Sequence, residues 1–390
     1  MDLASAGIAV DLFDENERAL ARASARNEGK IHLGYVYAGD RSLRTARTMV
    51  KGALAFAPLL RRWLGAAVDT VPVSMPFRYA VHAGGQLCAD DVERHLAHAH
   101  AIALEEGAEV PADYFGHDWR VAPARLDDAE RRAAFDDRAV VAAFQTEEIA
   151  IDPEALAALV RDRLATCGTI RCRFRTHVRA AQPNSAGVLV DIDTSEGRVR
   201  EHYDHVVNAL WHGRLAVDTT AGLAPERRWL YRVKHYARVR APALAAVAPS
   251  TTIVLGPFGD IVAYANGDFY LSWYPAGMRG VSSALSPPPW PLTLDAPGSA
   301  RMHDAIVAGL AGVVPAAGRL GRDAVDEYDV AAGIIFAWGD TDIDDRASGL
   351  HARYAIGPRS QGRYHTIDTG KLTMAPLFAN VVADRIRAAG

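Results

Sequence analysis

Two acidic residues, Asp14 and Glu15, directly follow a short apolar run and are the first side chains whose position suggests chemistry. The run, residues 8–13, has the composition of a buried β-strand. An acid at the end of the second strand of a Rossmann unit hydrogen-bonds an adenosine ribose. Residues 24–34 read S-A-R-N-E-G-K-I-H-L-G, a small and glycine-bearing loop whose backbone can approach a ligand closely. The same pattern also fits an ordinary strand and loop, and both interpretations stay open at this point.

A dinucleotide site also needs a glycine-rich phosphate turn, and we find no such motif in the sequence. Residues 3–7 are typical of the end of a helix, with Gly7 as its stop signal. The fingerprint glycines lie roughly 20 residues before the ribose acid, but only 13 residues precede Asp14. We expect either that the sequence begins late or that the turn has been lost. We favour the late start, because a missing central strand would expose two strand edges.

The composition predicts an ordinary globular protein of two or three domains. The 390 residues are 49% hydrophobic and 23% charged, and the net charge of −4 includes no strongly basic block. Nucleic acid is therefore not the expected partner. Three cysteines, Cys88, Cys167 and Cys172, predict free thiols in a reducing, cytoplasmic compartment. The sequence predicts no signal peptide, no membrane-spanning segment of about 20 apolar residues and no metal site.

Hydrophobic periodicity and turn signals predict alternating helices and strands. Helices are predicted over residues 42–65, 90–107, 153–165 behind an Asp152 cap, 300–314 and 370–388. Pro58 predicts a kink or a break in the first of these helices. Strands are predicted over residues 71–82, 170–178, 188–193, 203–210, 227–239, 251–274, 325–337 and 351–356. An N-G-D turn between two aromatic strands within residues 251–274 predicts a β-hairpin.

Four motifs in one order give the chain a resemblance to a known family. They are N-E-G-K-I-H-L-G at 27–34, E-I-A-I-D-P-E-A-L at 148–156, V-V-N-A-L-W at 206–211 and D-T-G-K-L-T-M-A-P at 368–376. With them the chain resembles the D-amino-acid-oxidase-like family of FAD-dependent oxidoreductases. The resemblance implies a mixed α/β (α+β) fold, with a Rossmann-like FAD-binding domain that is split in sequence and a substrate domain on a mixed sheet. The implied FAD-binding segments are residues 1–70, 146–225 and 326–390, and the substrate segments are 71–145 and 226–325.

The resemblance also implies a set of FAD contacts. Asp14 or Glu15 would hold the adenosine ribose, and Val178 would lie where a backbone group meets the adenine. The loop that passes the pyrophosphate and the flavin would consist of Ser24, Arg26, Asn27, Glu28 and Gly29, with His32 just beyond it. A helix N-terminus at the closing segment would stabilise the negative charge of reduced flavin. That segment consists of Thr369, Gly370, Lys371, Leu372 and Thr373.

A bound flavin would make the protein an oxidoreductase that oxidises a C–N or C–O bond of a small amino acid, amine or 2-hydroxy acid. A carboxylate on such a substrate would need a cationic clamp, for which arginine is well suited. The candidates are Arg78, Arg232 and Arg279, with Tyr264, Tyr270 and Tyr274 as hydroxyl donors. The sequence identifies neither the substrate nor the electron acceptor. The alternatives are a flavin-free relative that acts as a binding or partner protein, and a nicotinamide dehydrogenase, which leaves the G-K-L-T segment unexplained.

Overall fold

The bounds of most helices and strands agree with the sequence patterns. The computed structural model describes residues 1–111, 113–343 and 345–389. Its helices are α1 (Asp2–Ser5), α2 (Arg44–Leu64), α3 (Ala89–Glu106), α4 (Asp128–Ala134), α5 (Pro153–Ala165), α6 (Arg214–Thr220), α7 (Tyr274–Gly277), α8 (Ala296–Ala311) and α9 (Ala375–Ala389). None of the helices within this described part is long and apolar enough to cross a membrane.

Two of the strands have twelve residues each, and the others are short. They are β1 (Val10–Phe13), β2 (Arg78–His82), β3 (Asp113–Tyr114), β4 (His117–Asp118), β5 (Ala124–Arg125), β6 (Val140–Gln145), β7 (Ile170–Arg173), β8 (His177–Pro183), β9 (Val188–Thr194), β10 (Gly197–Tyr203), β11 (Val206–Asn208), β12 (Trp229–Arg240), β13 (Thr251–Ile253), β14 (Gly259–Ala263), β15 (Asp268–Trp273), β16 (Met278–Ser282), β17 (Glu327–Trp338), β18 (Gly357–Gln361) and β19 (Tyr364–Asp368).

Nine of these strands form one large mixed sheet. Its order is β16-β12-β15-β14-β13-β2-β6-β5, and β17 pairs with the free edge of β12 along all twelve residues. The predicted hairpin is confirmed, because β14 and β15 pair antiparallel across a turn in which Gly267 takes a φ of +83°. That left-handed conformation is one that glycine adopts without steric cost.

The remaining part combines small parallel and antiparallel sheets with helices α2, α5 and α9. β1 pairs in parallel with β7, and β11 pairs in parallel with β19, which also carries β18. β8, β9 and β10 form an antiparallel meander. Because each parallel pair joins segments more than 150 residues apart in sequence, this part is split in sequence. The mixed fold predicted from the sequence is confirmed.

Local sequence signals explain where several elements begin and where predictions were wrong. The Asp152 carboxylate accepts the backbone N–H groups of Glu154 and Ala155, and Pro153 opens α5 as predicted. Helix α2 continues through Pro58 rather than breaking there. Residues 71–77 form only isolated bridges instead of a strand, because Pro72 and Pro76 cannot donate to a ladder.

Two further predictions differ from the structure near the C-terminus. Residues 351–356 do not form the predicted strand; a 3-10 turn at Gly349–His351, capped by the Ser348 side chain, precedes β18 instead. Strand β17 lies in the large sheet although it begins after the predicted boundary at residue 325. The large sheet therefore extends further along the chain than the sequence suggested, and the domain boundaries otherwise stay predictions.

The two sides of the large sheet differ in what covers them. Alternate residues of β12, β14 and β15 pack against α8; this helix-facing side includes Ala237, Val239, Ile261, Ala263, Phe269 and Leu271. The other residues of the same strands point toward the loop at residues 24–34. This loop-facing side includes Lys234, Tyr236, Arg238, Asp260, Tyr264, Tyr270 and Ser272. Since side chains alternate along a strand, one set of strands serves both sides.

Candidate functional site

The loop at residues 24–34, here called the site loop, is shaped by hydrogen bonds of its own Asn27 side chain and by the close packing of Gly29. The Asn27 Oδ1 accepts the Gly29 backbone N–H at 2.7 Å, and its Nδ2 donates to the Ala23 carbonyl at 2.9 Å. Gly29 has a φ of +70°, and a Cβ there would collide with the Ile151 carbonyl oxygen. The glycine in this loop is therefore required both by its backbone conformation and by close packing.

The C-terminal turn, residues 369–373, lies directly against the site loop. The Thr373 hydroxyl accepts the His32 backbone N–H at 3.0 Å and donates to the Lys30 carbonyl at 3.0 Å. The Lys371 ammonium lies 3.0 Å from the Glu28 carboxylate. Gly370 takes a φ of +64° where the chain turns toward α9. Two segments that are over 340 residues apart in sequence are thus in direct contact, and their shared role toward a cofactor stays a prediction.

Three lysines approach the loop-facing side of the large sheet. Lys30 is 3% exposed, lies 3.1 Å from Asp260 and 4.2 Å from the centre of the Phe77 ring, and donates to Thr252. Burial acts to raise the pKa of Asp260, but Lys30 and then Lys234 outweigh it and lower that pKa. Burial likewise opposes ionisation of Glu28, yet Lys371, Lys234 and Lys30 hold its pKa well below its usual range. Both carboxylates are therefore anionic.

Lys234 differs from the other two lysines because no described carboxylate lies in direct contact with it. Its Nζ lies 3.3 Å from the Ser272 hydroxyl and 4.5 Å from the centre of the Tyr274 ring. Within residues 1–111, 113–343 and 345–389, no carboxylate oxygen lies within 4.0 Å of this nitrogen. The side chain is nevertheless buried, at 7% exposure. Glu28 and Asp260 act on it only from beyond this distance, so a ligand carboxylate in direct contact would stabilise this buried cation further.

A buried histidine of the site loop, His32, lies beside a buried carboxylate, Glu148. Glu148 accepts the Leu33 backbone N–H at 2.6 Å and the Tyr79 hydroxyl, and its Oε1 lies 3.7 Å from His32 Nδ1. Burial lowers the pKa of His32, so the ring is neutral at pH 7. Neither His32 ring nitrogen nor the Tyr37 hydroxyl has a hydrogen-bond partner among the described residues. These buried polar atoms are available to a polar ligand.

The predicted adenosine contacts form a separate group at the end of β1. The Asp14 carboxylate accepts the backbone and side-chain N–H groups of Asn16, at 2.9 and 2.7 Å. Glu15 pairs with Arg22 at 3.2 Å and with His177 at 3.1 Å. Val178 lies beside this group on β8 and pairs with Ile192. Their role toward the ribose and adenine stays a prediction.

The remaining predicted cofactor residues lie within the two segments already described. The Ser24 carbonyl accepts from Asn27 Nδ2 at 3.0 Å, and Arg26 Nη1 lies 3.5 Å from the Ala332 carbonyl on β17. The Thr369 carbonyl accepts the Lys371 backbone N–H at 2.6 Å. Leu372 begins the 3-10 turn that leads into α9.

Of the predicted substrate residues, the structure brings the tyrosines and one arginine together. Tyr264 donates its hydroxyl to the Glu28 carbonyl at 3.2 Å, and Tyr274 lies beside Lys234. Tyr270 lies on the same loop-facing side and stacks with Tyr236 at 4.7 Å. Arg232 is 1% exposed and pairs with Asp342 at 2.6 Å, but its Nε has no described partner.

Arg78 and Arg279 do not lie in this group, and their role as substrate residues stays a prediction. Tyr79 points toward Glu148 and the site loop, so the neighbouring Arg78 points to the opposite side of the sheet. There its Nε donates to Gln145 at 3.1 Å. Arg279 is exposed on the edge strand β16. Neither side chain faces the lysine cluster.

The sequence analysis also missed the residues that carry most of the charge in the site, namely Lys30, Lys234, Glu148 and Asp260. The sequence did contain a signal for the two lysines, Lys30 and Lys234. Only four of the 43 Lys and Arg residues are lysines. Three of these four lie in the site, and only Lys51 is on the surface. Lysine is a compact, strongly hydrated charge that is costly to bury. Such an uneven distribution therefore indicates a function.

Comparison with known proteins agrees with this geometry. The family of FAD dependent oxidoreductases matches residues 1–385, and the chain therefore belongs to this family. FAD is the cofactor of the family. No curated protein sequence matches the chain.

Solved structures with the same fold cover nearly the whole chain at low sequence identity. Glycine oxidase from Geobacillus kaustophilus has a TM-score of 0.65 and 17% identity, over 98% of this chain and 89% of that one. Iminodiacetate oxidase from Chelativorans sp. BNC1 has a TM-score of 0.62 and 15% identity, over 99% and 91%. L-alpha-glycerophosphate oxidase from Mycoplasma pneumoniae, solved with FAD bound, has a TM-score of 0.62 and 13% identity, over 97% and 89%. At this identity the likeness establishes the fold alone.

Proposed function

We propose that this member of the FAD-dependent family oxidises a C–N or C–O bond of a small substrate that carries a carboxylate. The substrate is an amino acid, an amine with an acidic group, or a 2-hydroxy acid. The observation that carries the proposal is the buried Lys234 ammonium, which has no carboxylate within 4.0 Å among the described residues. A substrate carboxylate would supply a negative charge in direct contact with this ammonium group.

The surroundings of Lys234 support a small polar substrate. The Tyr274 ring lies 4.5 Å from its Nζ, and the Ser272 hydroxyl lies 3.3 Å from it. A hydroxyl group beside a cation, here that of Ser272, can fix the orientation of a bound carboxylate. Solved structures of the same fold are named for the oxidation of glycine, iminodiacetate and glycerophosphate. These names include both C–N and C–O chemistry, which supports the range of substrates proposed.

The described residues also fit a flavin. The His32 ring nitrogens and the Tyr37 hydroxyl are buried and have no hydrogen-bond partner within the described part of the chain. The polar edge of a flavin ring would supply such partners. Lys371 and the N-terminal end of the C-terminal turn would face the negative charge of the reduced form. Bound FAD would provide the acceptor for a hydride from the substrate carbon. The residues around Lys234 bind and orient the substrate and keep water from the reacting bond.

The first test is the visible absorbance of the purified protein before and after denaturation. We expect a flavin spectrum, and release of the colour on denaturation identifies a non-covalent cofactor. Anaerobic mixing with amino acids, amines and 2-hydroxy acids then shows which compounds bleach the flavin. A protein that carries no flavin would contradict the proposal and favour the flavin-free binding protein instead.

The second test replaces Lys234 by methionine, with Lys51→Met on the surface as the matched control. Lys234→Met should leave the flavin content unchanged and raise the substrate concentration for half-maximal bleaching roughly 10- to 100-fold, because one charged hydrogen bond is lost. Lys51→Met should leave that concentration unchanged. Equal behaviour of the two variants with a substrate that bleaches the wild type would contradict the role of Lys234.

A further inference from the structure

Tyr274 occupies a distinctive place on the loop-facing side of the large sheet. It follows the last residue of β15 and opens the short helix α7, with its backbone N–H donating to the Phe258 carbonyl at 2.8 Å. Its ring lies beside the Lys234 ammonium, at 4.5 Å from Nζ to ring centre. No hydrogen bond of its hydroxyl is present in the part of the chain that the structure describes. The phenol is thus next to a buried cation, and its hydroxyl has no acceptor among the described residues.

Charged groups from four parts of the chain surround this phenol. Burial acts to raise the pKa of Tyr274, but Lys234, Arg232 and Lys371 together outweigh burial and lower it. Asp260 acts in the opposite direction. The groups that interact with the phenol are Arg232 and Lys234 on β12, Asp260 on β14, Tyr270 on β15, Arg353 and Lys371.

Two neighbouring tyrosines on the same side of the sheet show that this environment is specific. Burial is the main cause that raises the pKa of Tyr264 and of Tyr270 well above the usual value. Both lie on strands of the same sheet within the same polar surface. The contrast follows from position, because Tyr274 lies at the strand end next to the lysine and arginine side chains. Tyr264 instead donates to the Glu28 carbonyl.

We infer that the Tyr274 phenolate oxygen accepts a proton from the ammonium group of an amine or amino-acid substrate before oxidation. This inference rests on the proposed function and restricts its substrate to compounds with a C–N bond. In the step, one N–H bond of the substrate ammonium breaks and one O–H bond forms on Tyr274. The products are a neutral amine and a neutral phenol, and no electrons are transferred.

The same charges favour both partners of this proton transfer. A positive potential from Lys234, Arg232 and Lys371 stabilises a phenolate and destabilises an ammonium group placed beside it. The substrate carboxylate, held by Lys234, fixes the ammonium group on the side of the Tyr274 oxygen. A neutral amine has the free lone pair that loss of a hydride from the adjacent carbon requires. Tyr274 therefore acts as a general base for the step that precedes oxidation.

Ultraviolet titration of the flavin-containing protein tests the ionisation itself. Phenolate formation is followed near 295 nm in the wild type, in Tyr274→Phe and in the control Tyr328→Phe, whose ring centre lies 4.8 Å from that of His303 on the helix-facing side. In the wild type and in the control, one phenol should ionise at a lower pH than the others. This early step should be absent from the titration of Tyr274→Phe. Lys234→Met should move that first step to higher pH, and Lys234→Arg should restore it. An unchanged first step in Tyr274→Phe, or the absence of such a step in the wild type, would overturn the inference.

The pH dependence of flavin bleaching tests the role of the phenolate. With an amine substrate, Tyr274→Phe should slow bleaching roughly 100-fold near neutral pH, in the range expected for loss of a general base. This difference in bleaching rate between the variant and the wild type should become smaller as the pH approaches the pKa of the substrate ammonium group in solution, because the substrate then arrives already neutral. A deficit that is the same at every pH would overturn the inference while leaving the proposed function intact. Bleaching of the wild type by 2-hydroxy acids alone would do the same, whereas no bleaching by any compound would contradict the proposed function as well.

Discussion

The two sides of the large sheet are built from the same strands but meet opposite requirements. The helix-facing side is apolar, and Phe269, Leu271 and Ile261 pack on Ile306 of α8. The loop-facing side carries lysines, carboxylates and tyrosines against the site loop. Burial of the apolar side stabilises the fold at about 25 cal/mol per Å², whereas burial of the charged side is costly unless every charge is paired. The helix-facing side shows that these strands can pack in an apolar core. We therefore infer that the charges on the loop-facing side are retained because they serve a chemical function.

The largest effect that tests this contrast concerns the Lys30–Asp260 pair. Lys30→Met leaves the Asp260 carboxylate with Thr252 but without its cation, so we expect a loss of about 3 kcal/mol in the free energy of unfolding. Asp260→Asn should cost a similar amount, and the double variant should cost less than the sum of the two. Urea unfolding of the three variants measures the coupling. A double variant that costs the full sum would show that the charges on this side are not coupled.

Leu271→Ala provides the matching change on the helix-facing side. Leu271 is fully buried among α8 and the neighbouring strands, and truncation of a buried leucine costs about 3 kcal/mol through lost transfer energy and the cavity left behind. The flavin spectrum and the substrate dependence of bleaching should not change. Urea unfolding and the same bleaching assay measure both. A clear change in substrate dependence would show that the two sides are not independent.

The features that the sequence predicted correctly are those that depend on neighbouring residues. The Asp152 cap and the N-G-D hairpin each depend on contacts within a few residues. The site loop and the C-terminal turn were also placed in one site, but through resemblance to a family rather than through periodicity. For the cap and the hairpin, the sequence contains the necessary information within a short segment.

The features that the sequence did not predict depend on distant partners or on strand register. Lys30 meets Asp260 across 230 residues, and no local pattern relates them. Arg78 lies on the side opposite the site loop, because a shift of one position along a strand moves a side chain to the opposite face. The alternating charges Arg232, Lys234 and Arg238 on β12 were visible in the sequence. Only the structure shows which side of the sheet they share.

A smaller effect is expected from pH, because each side of the sheet has a buried histidine. Burial lowers the pKa of His32 on the loop-facing side and of His303, which is fully buried in α8, on the helix-facing side. The unfolded chain therefore binds protons more readily than the folded one, near the ordinary histidine value of 6.5. The stability that these neutral rings contribute is present above this pH and is lost as the pH falls toward the folded values.

Replacement of these histidines separates the two sides. His303→Leu should reduce the loss of stability between about pH 7.5 and pH 5.5, without changing the flavin spectrum. His32→Leu should reduce the same loss, but it should also shift the flavin spectrum if the ring contacts the cofactor. Urea midpoints at the two pH values and visible spectra measure these effects. An unchanged pH dependence in both variants would contradict the assignment of the acid sensitivity to these rings.

The smallest effects are expected from the two arginines that lie away from the site. Arg279→Ala changes an exposed side chain and should alter the free energy of unfolding by less than about 0.5 kcal/mol. Arg78→Ala loses a hydrogen bond to Gln145 and should cost about 1 kcal/mol. Neither variant should change the substrate concentration for half-maximal bleaching, in contrast to Lys234→Met. If Arg78→Ala weakened substrate binding as much as Lys234→Met, the helix-facing side would take part in recognition, and the division of the sheet into a stabilising side and a chemical side would be wrong.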